Sequence, residues 1–439
     1  MTPAVERALG DALAAIVGVR EVRTGEGVRA FAVDGRVPRW VVSPRSVEEV
    51  SRCLTLAHAE GLAVAPTGHG TRLGWGGPPS RLDVRLSLAR LDRILAHEPA
   101  DLTASVEAGV AVGRLNTALA PHRQCLPLDP ARARGSTVGG LIATAASGPY
   151  RARYGTMREV LLGVTVVQAD GTVTKSGGRV VKNVTGYDLP KLHVGALGTL
   201  GVVVGAHLRL HPVPPVEATW LFGFRSADAA LDAGLQVLDA PLVPSRVQLL
   251  DGRALAGLGP RGPADAALAV TIGSVPEAVR AQGGRVEEVC RRSGGDPIPL
   301  PDPEGWWPGV SDATWPGEAA SVALRIGSRA TDVVKALRAV EAACDPSALV
   351  RLTAEVANGV LHVLIGGAAA LEAPTWLPRL RSGLAALGAS AVVEHAPAEI
   401  KAALDVWGDV GPALGPMRAL KAELDPRGVL NPGRFVGGI

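Results

Sequence analysis

Lysine, cysteine and long apolar runs are all scarce in this chain. Of its 45 basic residues only six are lysines, at Lys175, Lys182, Lys191, Lys335, Lys401 and Lys421. Acidic residues are interspersed throughout, net charge is +3 and no basic run occurs, which argues against nucleic-acid binding and for a simple arginine bias. The four cysteines, Cys53, Cys125, Cys290 and Cys344, lie far apart, with no Cys-x-x-Cys and no histidine at zinc-finger spacing. That excludes a sequence-local iron–sulfur or zinc site and reads as buried apolar thiols in a reducing compartment. The chain is 47% apolar, yet uncharged stretches such as Gly135–Tyr150 and Val356–Leu371 fall short of the ~20 residues of a membrane span. The first twenty residues carry acids, lack a basic n-region and read as an amphipathic helix rather than a secretory signal, so a cytoplasmic location is expected.

Glycine, by contrast, is plentiful and unevenly placed. Gly177–Gly201, GGRVVKNVTGYDLPKLHVGALGTLG, packs six glycines between two strand-like runs, Leu161–Gln168 and Val202–Leu210. Glycine loses more chain entropy on folding than any other residue, so this density signals backbone held against a bound group or forced through positive φ.

A chain of 439 residues exceeds the ~250–300 at which single cores stop growing, so two lobes are expected. Trp40–Val42 reads as a strand, and Ser46-x-x-Glu49 as a capping box opening a helix that runs to Glu60 and stops at Gly61. Strands follow at Leu62–Ala65, Leu82–Leu86, Leu102–Glu107 and Val160–Val167, with a helix over Val112–Leu119. The proline cluster His211-Pro-Val-Pro-Pro215 is a stiff connector and marks the main boundary. Beyond it, strands at Thr219–Phe224, Ala267–Ile272, Val322–Ile326, Val360–Ile365 and Ala391–Glu394 alternate with helices at Ser226–Leu238, Pro276–Arg292, Ala330–Ala342 and Pro374–Leu387. That rhythm predicts an α+β lobe whose sheet is covered on one side. Pro297–Pro316, with Trp306, Trp307 and Trp315, reads as a loop whose tryptophans pack the lobe.

Three glycine-rich pieces carry the chemistry. Gly68-His-Gly-Thr-Arg-Leu-Gly74 follows a strand, and glycine-freed N–H groups there can form a nest for a pyrophosphate, with no room for a Cβ at Gly70. Its spacing is neither that of a Rossmann fingerprint nor that of a Walker A loop, and alone it fits a surface turn equally well. Gly135-Ser-Thr-Val-Gly-Gly140 offers Ser136 and Thr137 as donors, although a simple capped helix explains it as well. Together with Gly177–Gly201, the three imply a large, planar, phosphate-bearing cofactor.

VVSPRSVEEV, VAPTGHGTRLGWGG, STVGGLIATAASGP, YGTMREVLLGVTVVQADG, GGRVVKNVTGYDLPKLHVGALGTLGVVVGAHLRLHP and LDPRGVLNPGRF occur in this order. The series resembles the vanillyl-alcohol-oxidase (PCMH-type) FAD-binding flavoproteins and, within them, is most similar to the FAD-binding subunit of bacterial glycolate oxidase. The resemblance is dense over Val41–Pro215 and Leu424–Phe435. It implies an α+β fold: an N-terminal helical segment (1–36), a two-subdomain FAD-binding domain (37–215), an α+β cap or substrate domain (216–420) and a C-terminal segment (421–439) returning to the FAD domain. Carried over by position, the FAD contacts are Pro66, Gly68, His69, Gly70, Thr71, Ser136, Thr137, Gly139, Gly140, Gly148, Asn183, Tyr187, Gly198 and Val202. Relatives with a histidyl-flavin bond place the linked histidine where this chain has Thr71, and Cys125 lies outside the second loop, so noncovalent FAD is implied.

Catalytic relatives carry an acid in the turn where this chain has Leu197, together with His-rich motifs in the cap. Here only Asn358-Gly-Val-Leu-His362 and Glu394-His395-Ala396 remain. His395, His362 and Glu394 are the catalytic candidates, able to take a hydroxyl proton while flavin accepts hydride. His362 within an apolar strand reads equally as a sheet-face histidine. No metal is assigned. The resemblance implies a subunit that oxidises a small 2-hydroxy acid to the 2-oxo acid beside a homologous FAD subunit and an iron–sulfur subunit, reaching the inner membrane only through those partners. A self-sufficient hydroxy-acid dehydrogenase and a non-catalytic flavin-binding subunit are the alternatives.

Overall fold

The computed structural model describes residues 2–179, 186–259, 264–317 and 320–439. Among the described residues the N-terminal lobe holds two larger sheets and a two-stranded one pairing Gln124–Cys125 with His211–Pro212. The first has four strands in the order Val22–Arg23, Trp40–Val42, Val84–Ser87, Val64–Thr67, the last three mutually parallel. The second is a five-stranded antiparallel sheet in the order Ile94–Glu98, Thr103–Glu107, Val202–Arg209, Leu161–Val167, Val173–Gly177.

Local signals account for most of these elements. Helix Val47–Glu60 opens where Ser46 Oγ accepts the Glu49 N–H at 3.2 Å and closes on Gly61 at φ +63°. The capping box is only half formed: the Glu49 carboxylate accepts the N–H of Arg45, not that of Ser46. The following strand is Val64–Thr67, two residues later than the apolar run suggests. Leu62 N–H still closes the helix on Ala57 O, and Ala63 N–H is taken by Asp83 Oδ2. Val64 also pairs with Leu430, so the C-terminal segment extends this sheet.

The C-terminal lobe is one eight-stranded antiparallel sheet in the order Asp296–Pro297, Val216–Phe224, Ala266–Ser274, Pro244–Asp251, Leu349–Glu355, Val360–Gly366, Ser321–Gly327, Ser390–His395. Helices Ala227–Asp239, Pro276–Arg292, Val333–Ala343 and Ala373–Ala385 bury one face in the largest apolar core. The other face is split. Helices Gly252–Gly257 and Pro303–Asp312 cover part of it in a small cluster around Leu221, Leu250, Trp306 and Trp307, and the rest faces the N-terminal lobe.

Two departures from the sequence reading matter for the site. Pro244–Asp251 and Leu349–Glu355 are strands that the apolar pattern did not reveal. Much of Pro297–Pro316 is helix rather than loop, because Asp302 caps the Gly305 N–H and Pro303 sits in the first turn, where a missing N–H costs nothing. Trp306 and Trp307 are buried in this lobe, whereas Trp315 lines the cleft between the lobes.

Candidate functional site

The strand Val64–Thr67 delivers the chain into the first glycine loop. The backbone N–H groups of His69, Gly70, Thr71 and Arg72 have no intrachain partner among the described residues, so four consecutive donors are available to an anion, although of the four only Arg72 lines the spaces described below. The loop's carbonyls are pinned on its other side. Arg434 Nη2 donates to the carbonyls of Leu73 and Trp75, and Lys401 Nζ donates to that of Gly74 at 2.8 Å. Lys401 is itself paired with Asp34 Oδ2 at 2.6 Å, both side chains buried. Burial pushes the Lys401 ammonium down to about 8, with Asp34 opposing the shift. Two cations from late in the chain thus turn the carbonyls away and leave the N–H groups free.

The second loop docks directly against the first. Thr137 caps helix Val138–Thr144, its Oγ1 accepting the Gly140 N–H at 3.2 Å, so the capped-helix reading holds. A Cβ on Gly68 would lie 2.1 Å from that same Oγ1. Ser136 Oγ donates to Arg132 O at 2.9 Å, accepts Arg72 Nη1 at 2.6 Å and lies 3.2 Å from Thr71 Oγ1. His69 Nδ1 lies 3.0 Å from Gly135 O, an acceptor that requires the proton on Nδ1. At Gly70 the crowding expected from sequence is absent, since a Cβ would meet only Arg85 Nη2, at 3.3 Å. What demands glycine there is φ +77°.

The third wall is the turn Ala196–Thr199. Leu197 stands at φ +49° and its carbonyl accepts a hydrogen bond from Asn431 Nδ2 at 2.6 Å, and a Cβ on Gly198 would be 2.9 Å from Pro66 Cγ. Pro66, Gly68, Thr137, Gly139, Gly140 and Gly198 line one space of about 500 Å³, and Gly148 lines the larger cleft beside it. Nest, small-residue walls and cleft fit a dinucleotide with a planar ring. Val202 lines neither space: its side chain is buried in the core with Trp40 and Val64, so any contact there runs through backbone. Tyr187 is 93% exposed and lines neither space, because the chain after it turns onto Leu189–Leu192 with the ring in solvent. Asn183 lies outside the described residues.

The larger cleft, about 760 Å³, lies between the glycine loops and the uncovered part of the C-terminal sheet. Antiparallel register sets Arg325, His362 and Thr353 side by side on neighbouring strands. Arg325 Nε donates to Glu394 Oε1 at 2.8 Å, and His362 Nε2 lies 3.4 Å from Glu355 Oε1. His395 follows Glu394 and stands 3.6 Å from where a Gly74 Cβ would be. The three catalytic candidates therefore share one cleft. Burial, then the Lys401 charge, hold the His395 imidazole below its usual 6.5, with Asp34 opposing, so it is neutral at pH 7. Among the described residues, no three His, Cys, Asp or Glu side chains converge as a ligand set for a metal ion. Sequence reasoning missed Glu355, Arg325 and Arg72 in this cleft.

A second polar cluster joins the lobes. Buried Arg246 lies 3.2 Å from Asp129 and 3.4 Å from Glu217, with its guanidinium 3.5 Å from the Tyr150 ring centre. Asp129 Oδ1 accepts the Tyr150 N–H at 2.9 Å, tying the cluster to the Gly148–Tyr150 turn. Burial raises the Asp129 carboxyl from 3.8 to about 6, against the pull of Arg246. A folded-state value above the unfolded one contributes stability that is complete below the unfolded value and lost as pH rises through about 6. Asp129→Asn is therefore expected to flatten the fall in Tm between pH 5 and 7; an unchanged slope in thermal melts across that range would remove Asp129 as its source.

The loops, nest and two-lobed fold define an FAD-dependent oxidoreductase. A profile described as "FAD binding domain" matches residues 38–177, and one described as "FAD linked oxidases, C-terminal domain" matches residues 328–435. A probable mitochondrial D-lactate dehydrogenase of Danio rerio is 32% identical over 474 aligned positions, covering 99% of this chain and 93% of the relative. Glycolate oxidase subunit GlcD of Bacillus subtilis is 28% identical, covering 91% and 89%. In fold, p-cresol methylhydroxylase with substrate bound superposes at a TM-score of 0.78 and 16% identity, covering 99% of this chain and 97% of that one. The chain belongs to the FAD-linked oxidase family, with the PCMH-type fold. No helix among the described residues is long and apolar enough to cross a membrane.

Proposed function

We propose that this chain binds FAD noncovalently and oxidises the CH–OH group of a small 2-hydroxy acid to the 2-oxo acid, as the FAD-binding subunit of a glycolate-oxidase-like complex. The observation that carries the reading is the convergence of His395, His362 and Glu394 on one cleft whose other wall is formed by Arg72, Trp75 and residues 145–149 of the N-terminal lobe. FAD, when bound, supplies the acceptor for the hydride leaving the carbinol carbon. His395, neutral and half-buried, takes the hydroxyl proton, so the C–H and O–H bonds break while the C=O double bond forms. Arg325 holds Glu394 and so fixes the strand end from which His395 projects. His362, braced by Glu355, sits on the neighbouring strand as a second imidazole. The scarcity and wide spacing of cysteine mean that any iron–sulfur relay comes from a partner.

Anaerobic addition of glycolate or D-lactate tests this. Bleaching of the flavin only after co-expression with an iron–sulfur and a second FAD subunit supports the complex. Bleaching of the isolated chain supports a self-sufficient dehydrogenase instead, a reading favoured by all three candidate groups lying in one chain and by full-length similarity to a D-lactate dehydrogenase. A chain that takes up no FAD sinks both. His395→Gln is expected to slow flavin reduction by about 10²–10⁴-fold in stopped flow at unchanged FAD content; an unaltered rate would exclude His395 as the base.

A further inference from the structure

The cleft's charges do not cancel. Arg325 is matched by Glu394, and Glu355 lies against His362. Arg72 has no carboxylate partner among the described residues. It is 8% exposed, its guanidinium lies 5.6 Å from the Trp75 ring and 5.5 Å from that of Trp315, and its Nη atoms donate to Ser136 Oγ and Ala131 O. Its Nε–H is buried without a partner. A buried, unpaired guanidinium with an unused donor is costly unless an anion completes it. Burial pushes Arg72 down to about 10, with the more distant carboxylates of Glu394 and Asp312 opposing the shift, so it remains a cation at neutral pH.

We propose that Arg72 is a specificity-determining residue that receives the carboxylate of the substrate, which is a short 2-hydroxy monocarboxylate. This rests on the 2-hydroxy-acid oxidation proposed above. The loop places Arg72 two residues before Gly74, which backs onto His395. Arg72 and that imidazole line the same cleft, so a carboxylate held on the Nε edge would put the adjacent carbinol, one bond further along, on the side of the cleft that both share. Trp75 and Trp315 keep water from the guanidinium and strengthen a charge-assisted hydrogen bond there. With Arg325 already held by Glu394, Arg72 and the half-buried Arg151 are the lining cations without a carboxylate partner among the described residues, and of the two Arg72 is the buried one with an unused donor.

Oxalate, a non-oxidisable planar anion, is the probe, read by perturbation of the absorbance of the FAD-loaded protein. Arg72→Gln is expected to weaken oxalate by 100-fold or more, and FAD by far less, because the donor offered to the cofactor at this position is the backbone N–H, which the variant keeps. Arg72→Lys, which keeps the charge but not the Nε edge, is expected to weaken it about tenfold, and serves if the Gln variant does not fold. Unchanged oxalate affinity in either variant overturns the assignment. Loss of FAD in both overturns it too, by placing Arg72 against the cofactor's phosphates. A wild-type flavoprotein neither perturbed by oxalate nor bleached by any 2-hydroxy acid removes the reaction itself, a failure distinguishable from that of Arg72 alone.

Discussion

Gly68→Ala is expected to empty the cofactor site. The added methyl would fall 2.1 Å from Thr137 Oγ1, the hydroxyl that caps helix Val138–Thr144. The loop cannot yield readily, since Leu73, Gly74 and Trp75 are tied to Arg434 and Lys401, nor can Thr137 turn away without uncapping its helix. The two loops must part, and they are the walls between which a pyrophosphate would lie. FAD affinity should fall by more than 100-fold in equilibrium reconstitution. Gly70→Ala should cost only about 1–2 kcal/mol of strain at its positive φ, since its Cβ meets little. If Gly68→Ala keeps FAD and Gly70→Ala loses it, the nest is misplaced by one turn of the loop.

Lys401→Met is expected to produce the largest loss of stability. Removing one member of a buried pair leaves the other charged and unsolvated, at a cost of about 3–5 kcal/mol. Asp34 would be that stranded charge, on a segment near the N-terminus that Lys401 ties to the Gly74 carbonyl of the glycine loop. Lys401→Met combined with Asp34→Asn should recover most of the Tm, because no charge is then left buried. FAD affinity should stay weak in the double variant, because the Gly74 carbonyl has lost its donor. If the double variant binds FAD as tightly as the wild type, the ion pair serves folding only.

How much of this was legible in the sequence follows the kind of information each part needed. Helix Val112–Leu119 was readable to the residue, and Pro276–Arg292 likewise, because apolar spacing and end signals lie within the element itself. The two strands that escaped, Pro244–Asp251 and Leu349–Glu355, form part of the cleft floor. Their polar alternates, Arg246, Gln248, Thr353 and Glu355, are buried rather than solvated, Arg246 in ion pairs between the lobes and the others against the cleft, so the segments look like neither a surface strand nor a core one. The FAD loops were recognisable because glycine must stand where walls close in. The residues that orient them were not, since Asp34 and Lys401 are 367 positions apart and meet only in the folded chain. One trace of Lys401 was on view: in a chain that uses arginine almost everywhere, a lysine is a choice. Its compact three-donor head suits the carboxylate of Asp34 and the carbonyl of Gly74, where a planar fork would not fit.

Arg434 reaches back across 361 residues to Leu73, and Val64 takes its outer strand partner from Leu430. Contacts of such sequence separation form late, because the intervening chain must be ordered before they are rewarded. During synthesis both lobes can assemble their sheets while the first glycine loop still lacks the groups that turn its carbonyls aside. Cofactor capture is thus expected to follow the folding of the lobes rather than to guide it, so that refolding monitored by tryptophan fluorescence should reach its native value at the same rate with and without FAD.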